Sequence, residues 1–482
     1  YEQATTGIAP HFVEVIRQRL SKDGEWVDRL KGRDLYRDGL VIHTTLNSKV
    51  QEYANEAVKE HMDQYQKLFD RSWKWNQNRE TLNALLKKAI RQRPDYISAD
   101  KEGRNRLAEK LIKDRKFIDS VKRVATTIQT GVVVIDARSG AILGMVGASP
   151  QAMELDPAAR YSLNHVTQIK RQPGSAFKPF VYVSALEQGL TPDSTIESGP
   201  FSTVLSTGDI WAPRGSSKEG GPRPLRTALK YSTNTVAARL ITDVTSPSKV
   251  VDVCHRMGIK SRLESVPSIA LGATEVTPLE LASAYVPFVN QGVAVPPVFI
   301  TKIEDKLGNV LFQARLPKGV SDAIDMEVAQ DMVSMMRGVV DGGTGSRVRR
   351  HYKGEAAGKT GTTNEFADAW FVGYTPRLVA AVWTGFDDRR VHYTGWYGQG
   401  GRAAAPIWGR LMGKIEKDRK LPYGREKFPV ASDSLDIITD ELITDPPTEE
   451  LEDPEPDTTA PLGPPPAPPT NDTDAVVPRE ME

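Results

Sequence analysis

The stretch that decides the fold is Gly131-Val-Val-Val-Ile135-Asp-Ala-Arg-Ser-Gly140-Ala-Ile-Leu-Gly-Met-Val146. Two apolar runs, rich in β-branched residues, flank a short turn, which is the pattern of a β-hairpin. Helical periodicity follows the hairpin, and further strand-like segments lie near residues 358–386. Strands, then helices, then strands again predict an α+β fold over about residues 125–415, with helices covering a mostly antiparallel sheet.

The region before the hairpin divides into two parts. Residues 1–47 contain an amphipathic stretch, whose apolar face is predicted to hold Phe12, Val13, Ile16 and Leu20, and then a strand-like alternation at 41–46. Residues 48–124 are basic and helical in pattern, and we predict a final helix from about Asp100 to Val124 with Ser98 as its N-cap. A nucleic-acid surface is one reading of this region, but a solvated helical hairpin with a small apolar core is the better prediction.

The near-neutral net charge of +1 hides an asymmetry between the body and the tail. Residues 431–482 hold 15 acidic residues and one basic residue, so the rest of the chain holds 62 basic against 47 acidic. A basic body favours an anionic polymer, nucleic acid or a lipid surface, although a diffuse charge that only aids solubility fits equally well. Residues 416–482 read as an acidic, Pro-rich tail that is disordered from about 446, with a polyproline docking ligand as the alternative.

Composition excludes several classes of site. The single cysteine, Cys254, excludes an intramolecular disulfide framework and Cys-based metal centres. The seven histidines lack metal-ligand spacing, and no phosphate-binding glycine loop is present, so we expect neither a metal nor an organic cofactor. The sequence has no run of 18 apolar residues and no basic leader, and we interpret it as a fragment or a processed product.

Serine–lysine chemistry remains. In Ser-x-x-Lys the two side chains share one helical face, so a neutral lysine amine can take the serine proton and create a nucleophile. The pattern occurs at Ser98/Lys101, Ser246/Lys249 and Ser175/Lys178. The first two serines are predicted to be N-caps. Ser175 follows a glycine among apolar neighbours that would desolvate the lysine and lower its pKa, although an N-cap role is also possible.

Two further patterns follow in order. Ser232-Thr-Asn234 is uninformative alone, and Lys359-Thr-Gly361-Thr362 alone would also suit a plain edge strand. The intervals are 57 residues from Ser175 to Ser232 and 125 from Asn234 to Lys359. This order is hard to obtain by accident.

With these motifs, residues 125–412 resemble the transpeptidase domain of penicillin-binding proteins, most closely the class A, bifunctional branch. The matching stretches also include 272–282, 343–345, 368–376 and 404–408, while 9–13 and 44–47 resemble the junction between that family's two catalytic domains. His165 stands where the family often has Arg and Asn47 where it often has Asp, and no functional loss is attached to either. The anchor and glycosyltransferase domain that precede this point in the family have no counterpart in the sequence given, so residues 1–47 are expected to follow an absent glycosyltransferase domain.

The resemblance implies a catalytic set and a substrate-binding set. The catalytic residues would be Ser175 as nucleophile, Lys178 as base, Ser232 as proton relay and Lys359 as a fixed positive charge. Asn234, Thr360, Gly361 and Thr362 would bind substrate.

The resemblance further implies a peptidoglycan D,D-transpeptidase that acts on D-Ala-D-Ala stem peptides outside the cytoplasm and is trapped by β-lactams. Nucleic acid is not an expected partner, other cell-wall synthesis proteins are possible partners, and membrane association would come only through the absent anchor. Two alternatives stay open: a carboxypeptidase or β-lactamase of the same fold, and a non-catalytic binder of the cell wall.

Overall fold

The structure is a computed structural model and describes residues 7–22, 26, 29–30, 32–155, 163–205, 207–213, 215, 220–314, 323–424 and 426–429. Its contacts separate Tyr1–Ala431 from Ser432–Glu482, and everything below concerns the first of these units. The predictions made for the Pro-rich tail from about residue 446 lie outside the described residues.

The helices and strands follow the chain in this order: α1 (Pro10–Lys22), β1 (Val41–Thr44), α2 (Ser48–Ser72), α3 (Arg79–Arg91), α4 (Pro94–Ser98), α5 (Lys101–Lys113), α6 (Arg115–Thr126), β2 (Gln129–Asp136), β3 (Ile142–Val146), α7 (Pro150–Leu155), α8 (Lys178–Leu186), β4 (Thr195–Glu197), β5 (Thr203–Val204), β6 (Ile210–Trp211), β7 (Pro222–Pro224), α9 (Leu225–Lys230), α10 (Asn234–Arg239), α11 (Pro247–Arg256), α12 (Pro278–Val289), β8 (Ile300–Glu304), β9 (Val310–Gln313), α13 (Met326–Asp341), β10 (Ala357–Thr362), β11 (Asp368–Tyr374), β12 (Leu378–Gly385), α14 (Gly400–Ala403) and α15 (Ala405–Lys417). Short 3₁₀ segments include Gly174–Phe177 and Pro267–Leu271, and a π-helical turn spans Leu240–Val244.

A five-stranded sheet in the order β10-β11-β12-β2-β3 is the centre of the molecule, and every neighbouring pair in it is antiparallel. The hairpin predicted from sequence is confirmed as β2 and β3, with Gly140 in the left-handed region at φ 71°. Strands β2, β11 and β12 are buried along their whole length, as apolar strands covered on both faces must be. The predicted class, an antiparallel sheet covered by helices, is therefore confirmed.

Alternate residues of each central strand belong to two different cores. Val133 and Ile135 pack with α8, α12 and α13, whereas Val132 and Val134 pack with α2 and α15. This alternation follows from the two-residue side-chain period of a strand. The first core carries the helices that face β10, so it is the one that supports the site described below.

Helix α2 belongs to the second core rather than to a hairpin with a core of its own. Its small apolar residues, Val50, Ala54, Ala57 and Val58, are fully buried with the sheet and α15. Sequence periodicity predicted which face of this helix is apolar, but a period identifies a face and not its partner. Helices α3–α6 complete the 48–124 region.

Three local predictions come out differently. The single helix expected from Asp100 to Val124 is two helices, because Asp114 ends α5 and its carboxylate accepts the first N–H groups of α6. Ser98 is the last residue of α4, and Asp100 is the N-cap of α5 instead, since its carboxylate accepts from Gly103 N. On α1, Phe12, Ile16 and Leu20 are buried as predicted, but Val13 is 51% exposed because it lies about 100° around the helix from Phe12.

Candidate active site

Ser175 and Lys178 lie one turn apart on a continuous helical run. Ser175 is in the 3₁₀ segment Gly174–Phe177, Lys178 is the first residue of α8, and the amide of Lys178 donates to Ser175 O. Ser175 is only partly buried, whereas the Lys178 side chain is fully buried. The serine is therefore accessible to a ligand while the lysine amine is shielded from water.

The 3₁₀ segment packs backbone to backbone against the edge strand β10, and two glycines permit it. A Cβ on Gly174, whose φ is +53°, would lie 2.5 Å from Thr362 O. A Cβ on Gly361 would lie 2.2 Å from Pro173 O. Because both distances are far below van der Waals contact, only glycine at these positions lets the nucleophile segment approach the strand.

Two buried aromatic side chains fix the same segment by hydrogen bonds to its backbone. Trp370 on β11 donates from Nε1 to Gln172 O at 2.9 Å, and Tyr285 on α12 donates from its hydroxyl to Ala176 O at 2.6 Å. Both side chains are fully buried, so they stay rigid. The backbone on both sides of Ser175 is thereby tied to the sheet and to α12.

Ser232 lies two residues after the end of α9, in a backbone conformation that is ordinarily adopted by glycine. Its φ is 61°, its N–H donates to Leu229 O at 3.1 Å, and the N–H of Thr233 donates to Ala228 O at 2.9 Å. These two bonds define a Schellman motif with Ser232 at the left-handed C′ position. A non-glycine residue held there costs of order 1–2 kcal/mol, and such strain persists where the surrounding structure requires it, often at functional sites.

The two predicted lysines converge on this strained serine. Lys178 Nζ donates to the Ser232 carbonyl oxygen, to Asn234 Oδ1 at 2.8 Å and to Ser232 Oγ at 3.3 Å. Lys359 Nζ donates to the same Ser232 Oγ at 2.9 Å and to Thr360 O at 3.2 Å. Four of the predicted residues, from three distant segments of the chain, thus form one hydrogen-bonded cluster: Lys178, Ser232, Asn234 and Lys359. Ser175 lies one helical turn before Lys178.

The electrostatics of Lys359 differ from the fixed charge expected from sequence. Its side chain is fully buried, and burial lowers its pKa from 10.5 to about 7. Lys178 approaches the same oxygen, and two cations this close disfavour each other. An anionic ligand beside Lys359 would favour the charged form again, so the charge of this lysine depends on what occupies the site.

The hydroxyls of β10 have partners that sequence reasoning did not identify. Thr360 Oγ1 hydrogen-bonds Thr344 Oγ1 at 2.7 Å, and Thr362 Oγ1 accepts from Gly400 N at 3.1 Å. Thr344 follows α13 and lies between Gly343 and Gly345. This triplet of small residues was the feature of the sequence that could have identified Thr344 as part of the site. We regard Thr344 as a further candidate for ligand contact because it lies beside a predicted substrate-binding threonine.

The Ser246/Lys249 pair has a structural role, and so do two glutamates of the stretch 272–282. Ser246 is confirmed as an N-cap, since its hydroxyl accepts from Lys249 N at 3.4 Å. Glu280 completes a capping box with Thr277. Glu275 pairs with Arg389 on the surface.

Within the described ranges, no group of three or more His, Cys, Asp or Glu side chains is placed to hold a metal ion. The helices described in the structure include none that is both long and apolar enough to cross a bilayer.

Comparison with known proteins gives one family. The model of the penicillin binding protein transpeptidase domain matches residues 130–413. Penicillin-binding protein 1A of Neisseria meningitidis serogroup B is 30% identical over 500 residues, covering 91% of this chain and 60% of that protein. Penicillin-binding protein 1A of Aquifex aeolicus is 36% identical over 311 residues, covering 64% of this chain and 40% of that protein. The chain thus spans about 40 to 60% of the length of these curated relatives.

Solved structures agree on the fold. Penicillin-binding protein 1A from Haemophilus influenzae superposes with a TM-score of 0.66 at 24% identity, over 88% of this chain and 71% of that one. PonA1 from Mycobacterium tuberculosis in complex with penicillin V superposes with a TM-score of 0.61 at 25% identity, over 86% of this chain and 95% of that one. The chain belongs to the penicillin-binding protein transpeptidase family, and its curated relatives are penicillin-binding proteins 1A.

Proposed function

We propose that this chain is a peptidoglycan D,D-transpeptidase that works through an acyl-enzyme on Ser175. The observation that carries the proposal is the convergence of two buried lysine amines on Ser232 Oγ, next to a partly exposed serine. Serine nucleophiles need an adjacent base with access to the proton, and a lysine shielded from water is such a base when it is neutral. A relative that shares the fold is known with penicillin V bound.

In the proposed reaction Ser175 Oγ attacks the carbonyl carbon of the penultimate D-Ala of a stem peptide, and Lys178 takes the hydroxyl proton. Collapse of the tetrahedral intermediate breaks the bond to the terminal D-Ala nitrogen, which receives its proton through Ser232. An amine of a neighbouring stem then attacks the ester and releases Ser175. With water as the acceptor, the same steps give a carboxypeptidase.

The remaining residues would bind the substrate. Asn234 would hydrogen-bond its amide, and Lys359, Thr360 and Thr362 would hold the terminal carboxylate, with Gly361 leaving room beside the strand. Protonated Lys359 is the form that binds a carboxylate, so the ligand itself would stabilise the charge. The backbone N–H groups of Ser175 and Thr362 would form the oxyanion hole, worth about 3–4 kcal/mol per donor.

The wider setting is also proposed. Residues 1–47 would form the junction after a glycosyltransferase domain, 48–124 a basic helical insertion, 125–415 the transpeptidase and 416–482 the tail. The proposed substrate favours a location outside the cytoplasm.

Intact-protein mass spectrometry after incubation with a penicillin tests the proposal. We expect a mass increase of one penicillin molecule, mapped to the peptide that contains Ser175, and no adduct in Ser175→Ala. Rapid loss of the adduct would favour a β-lactamase instead. A folded wild-type protein without any adduct would leave only a non-catalytic binder.

A further inference from the structure

Each ring nitrogen of His165 faces a hydrogen-bond acceptor. Nδ1 lies 2.6 Å from Gly147 O, and Nε2 lies 2.7 Å from Asp387 Oδ1. The His165 side chain is 3% exposed, so water cannot substitute for either partner, whereas the Asp387 side chain is 48% exposed. The ring is therefore held between a backbone carbonyl and a carboxylate.

This arrangement determines the charge of the ring. A neutral imidazole has one N–H, so it can donate to only one of these two oxygens. The other nitrogen would then face an acceptor with its lone pair, which is repulsive. The repulsion is avoided only if both ring nitrogens carry protons or if the carboxyl group is protonated. Burial raises the pKa of the Asp387 carboxyl, but the hydrogen bond from His165 and the charges of His165 and Arg171 lower it below its ordinary value overall. With Asp387 ionised, both contacts require the imidazolium form of His165.

Asp387 is contacted both by His165 and by Arg171, which lies in the segment that leads to the nucleophile. Arg171, four residues before Ser175, donates from Nη2 to Phe386 O at 2.5 Å and to Asp387 O at 3.3 Å. His165 thus holds the side chain of Asp387, while Arg171 holds its backbone. Together the two residues attach the segment 165–171, which ends four residues before Ser175, to the end of β12.

We propose that His165 is a positioning residue for acylation: as an imidazolium it ties the segment leading to Ser175 to Asp387. This inference rests on the proposed function, since it concerns the same reaction. His165 contacts no substrate in this scheme and acts only through the placement of the nucleophile.

The charged and titratable groups around the ring support a cation there. Asp387 follows the end of β12. The His165 ring stacks on the Trp383 ring, with 5.3 Å between the ring centres and 11° between the ring planes. The guanidinium of Arg171 lies 5.6 Å from the centre of the same Trp383 ring. Asp368 on β11 accepts from Trp383 Nε1 at 2.9 Å, and burial raises its pKa. The ring of His11 on α1 packs against Gly147, the partner of His165 Nδ1. The Asp387 carboxylate and the aromatic face of Trp383 thus offset the like charge of Arg171.

The first arm of the test observes protonation directly. Long-range ¹⁵N–¹H NMR of the ¹⁵N-histidine-labelled chain, assigned by comparison with His165→Gln, should show both His165 nitrogens protonated at about pH 6.5, because each faces an acceptor. A ring with one unprotonated nitrogen at that pH overturns the inference. This arm needs no acylation, so it remains decisive even if the proposed function fails.

The second arm measures the second-order rate of Ser175 acylation by a fluorescent penicillin. We expect His165→Gln to be slower by about tenfold or more, as small misplacements of reacting groups cost rate. His165→Arg, which keeps the charge, should restore the rate to within about threefold.

Equal rates for wild type and His165→Gln, or an Arg variant no faster than the Gln variant, would overturn the positioning role. A wild-type chain that no penicillin acylates would instead refute the proposed function, which keeps the two failures distinct.

Discussion

The strained conformation of Ser232 allows a prediction in which stability and activity separate. Ser232→Ala and Ser232→Gly both remove the oxygen that accepts from Lys178 and Lys359, so the loss of those hydrogen bonds cancels when the two variants are compared. What differs is the backbone at φ 61°. Alanine there costs about 1–2 kcal/mol, whereas glycine loses about 0.5–1 kcal/mol more conformational freedom on folding. Glycine should therefore be the more stable variant by up to about 1.5 kcal/mol.

Urea unfolding followed by tryptophan fluorescence measures this difference, and penicillin labelling measures activity. Both variants should acylate more slowly than wild type by roughly 10²–10⁴-fold, the usual contribution of a proton-transfer group. A matched control is the same pair at Thr227, inside α9, where alanine should be the more stable by about 1 kcal/mol. An alanine variant at least as stable as the glycine variant would refute the strain argument. Wild-type acylation by either variant would refute the proton relay.

Three further predictions follow from single features of the chain. Burial lowers the pKa of Lys359 from 10.5 to about 7. Between these two pH values the unfolded state binds more protons than the folded state, so the free energy of unfolding of the wild type should rise with pH relative to that of Lys359→Met. Parallel pH profiles of urea unfolding for the wild type and Lys359→Met would contradict that burial effect. Lys359→Met should also slow acylation far more than it changes stability. Gly361→Ala should destabilise the fold by about 1–3 kcal/mol and slow acylation, because its Cβ would meet Pro173 O at 2.2 Å, whereas Gly220→Ala, with no atom within 4 Å of the added Cβ, should be near neutral in both assays. Deletion of residues 446–482 should leave penicillin acylation unchanged, and a marked loss would indicate that the prolines dock on the body.

The sequence predicted those parts of the site that depend on local spacing. Ser175 and Lys178 share a helical run because three residues separate them, and the hairpin of β2 and β3 follows from alternating apolar runs around a turn. The order of the motifs indicated that distant segments should meet, and Lys178, Ser232 and Lys359 do.

What could not be predicted depends on tertiary contacts. Nothing in the sequence near Ser232 requires a left-handed backbone, since the Schellman position ordinarily favours glycine. The low pKa of Lys359 comes from packing on all sides, which spacing does not reveal, so a fixed charge was the natural expectation. Thr344 reaches Thr360 only because α13 ends beside β10.

Taken together, the features of the site are costly for the fold. A serine occupies a glycine conformation, and Lys178 and Lys359 are both fully buried within 3.3 Å of one hydroxyl oxygen. Each feature disfavours the native state, and the packing of the two cores that enclose the sheet offsets that cost. A carboxylate placed beside Lys359 would remove part of it by restoring the charge that burial suppresses. Affinity for an anionic ligand and the cost of the site to the fold are then two results of the same buried amine, which is why variants that relax the site should gain stability as they lose acylation.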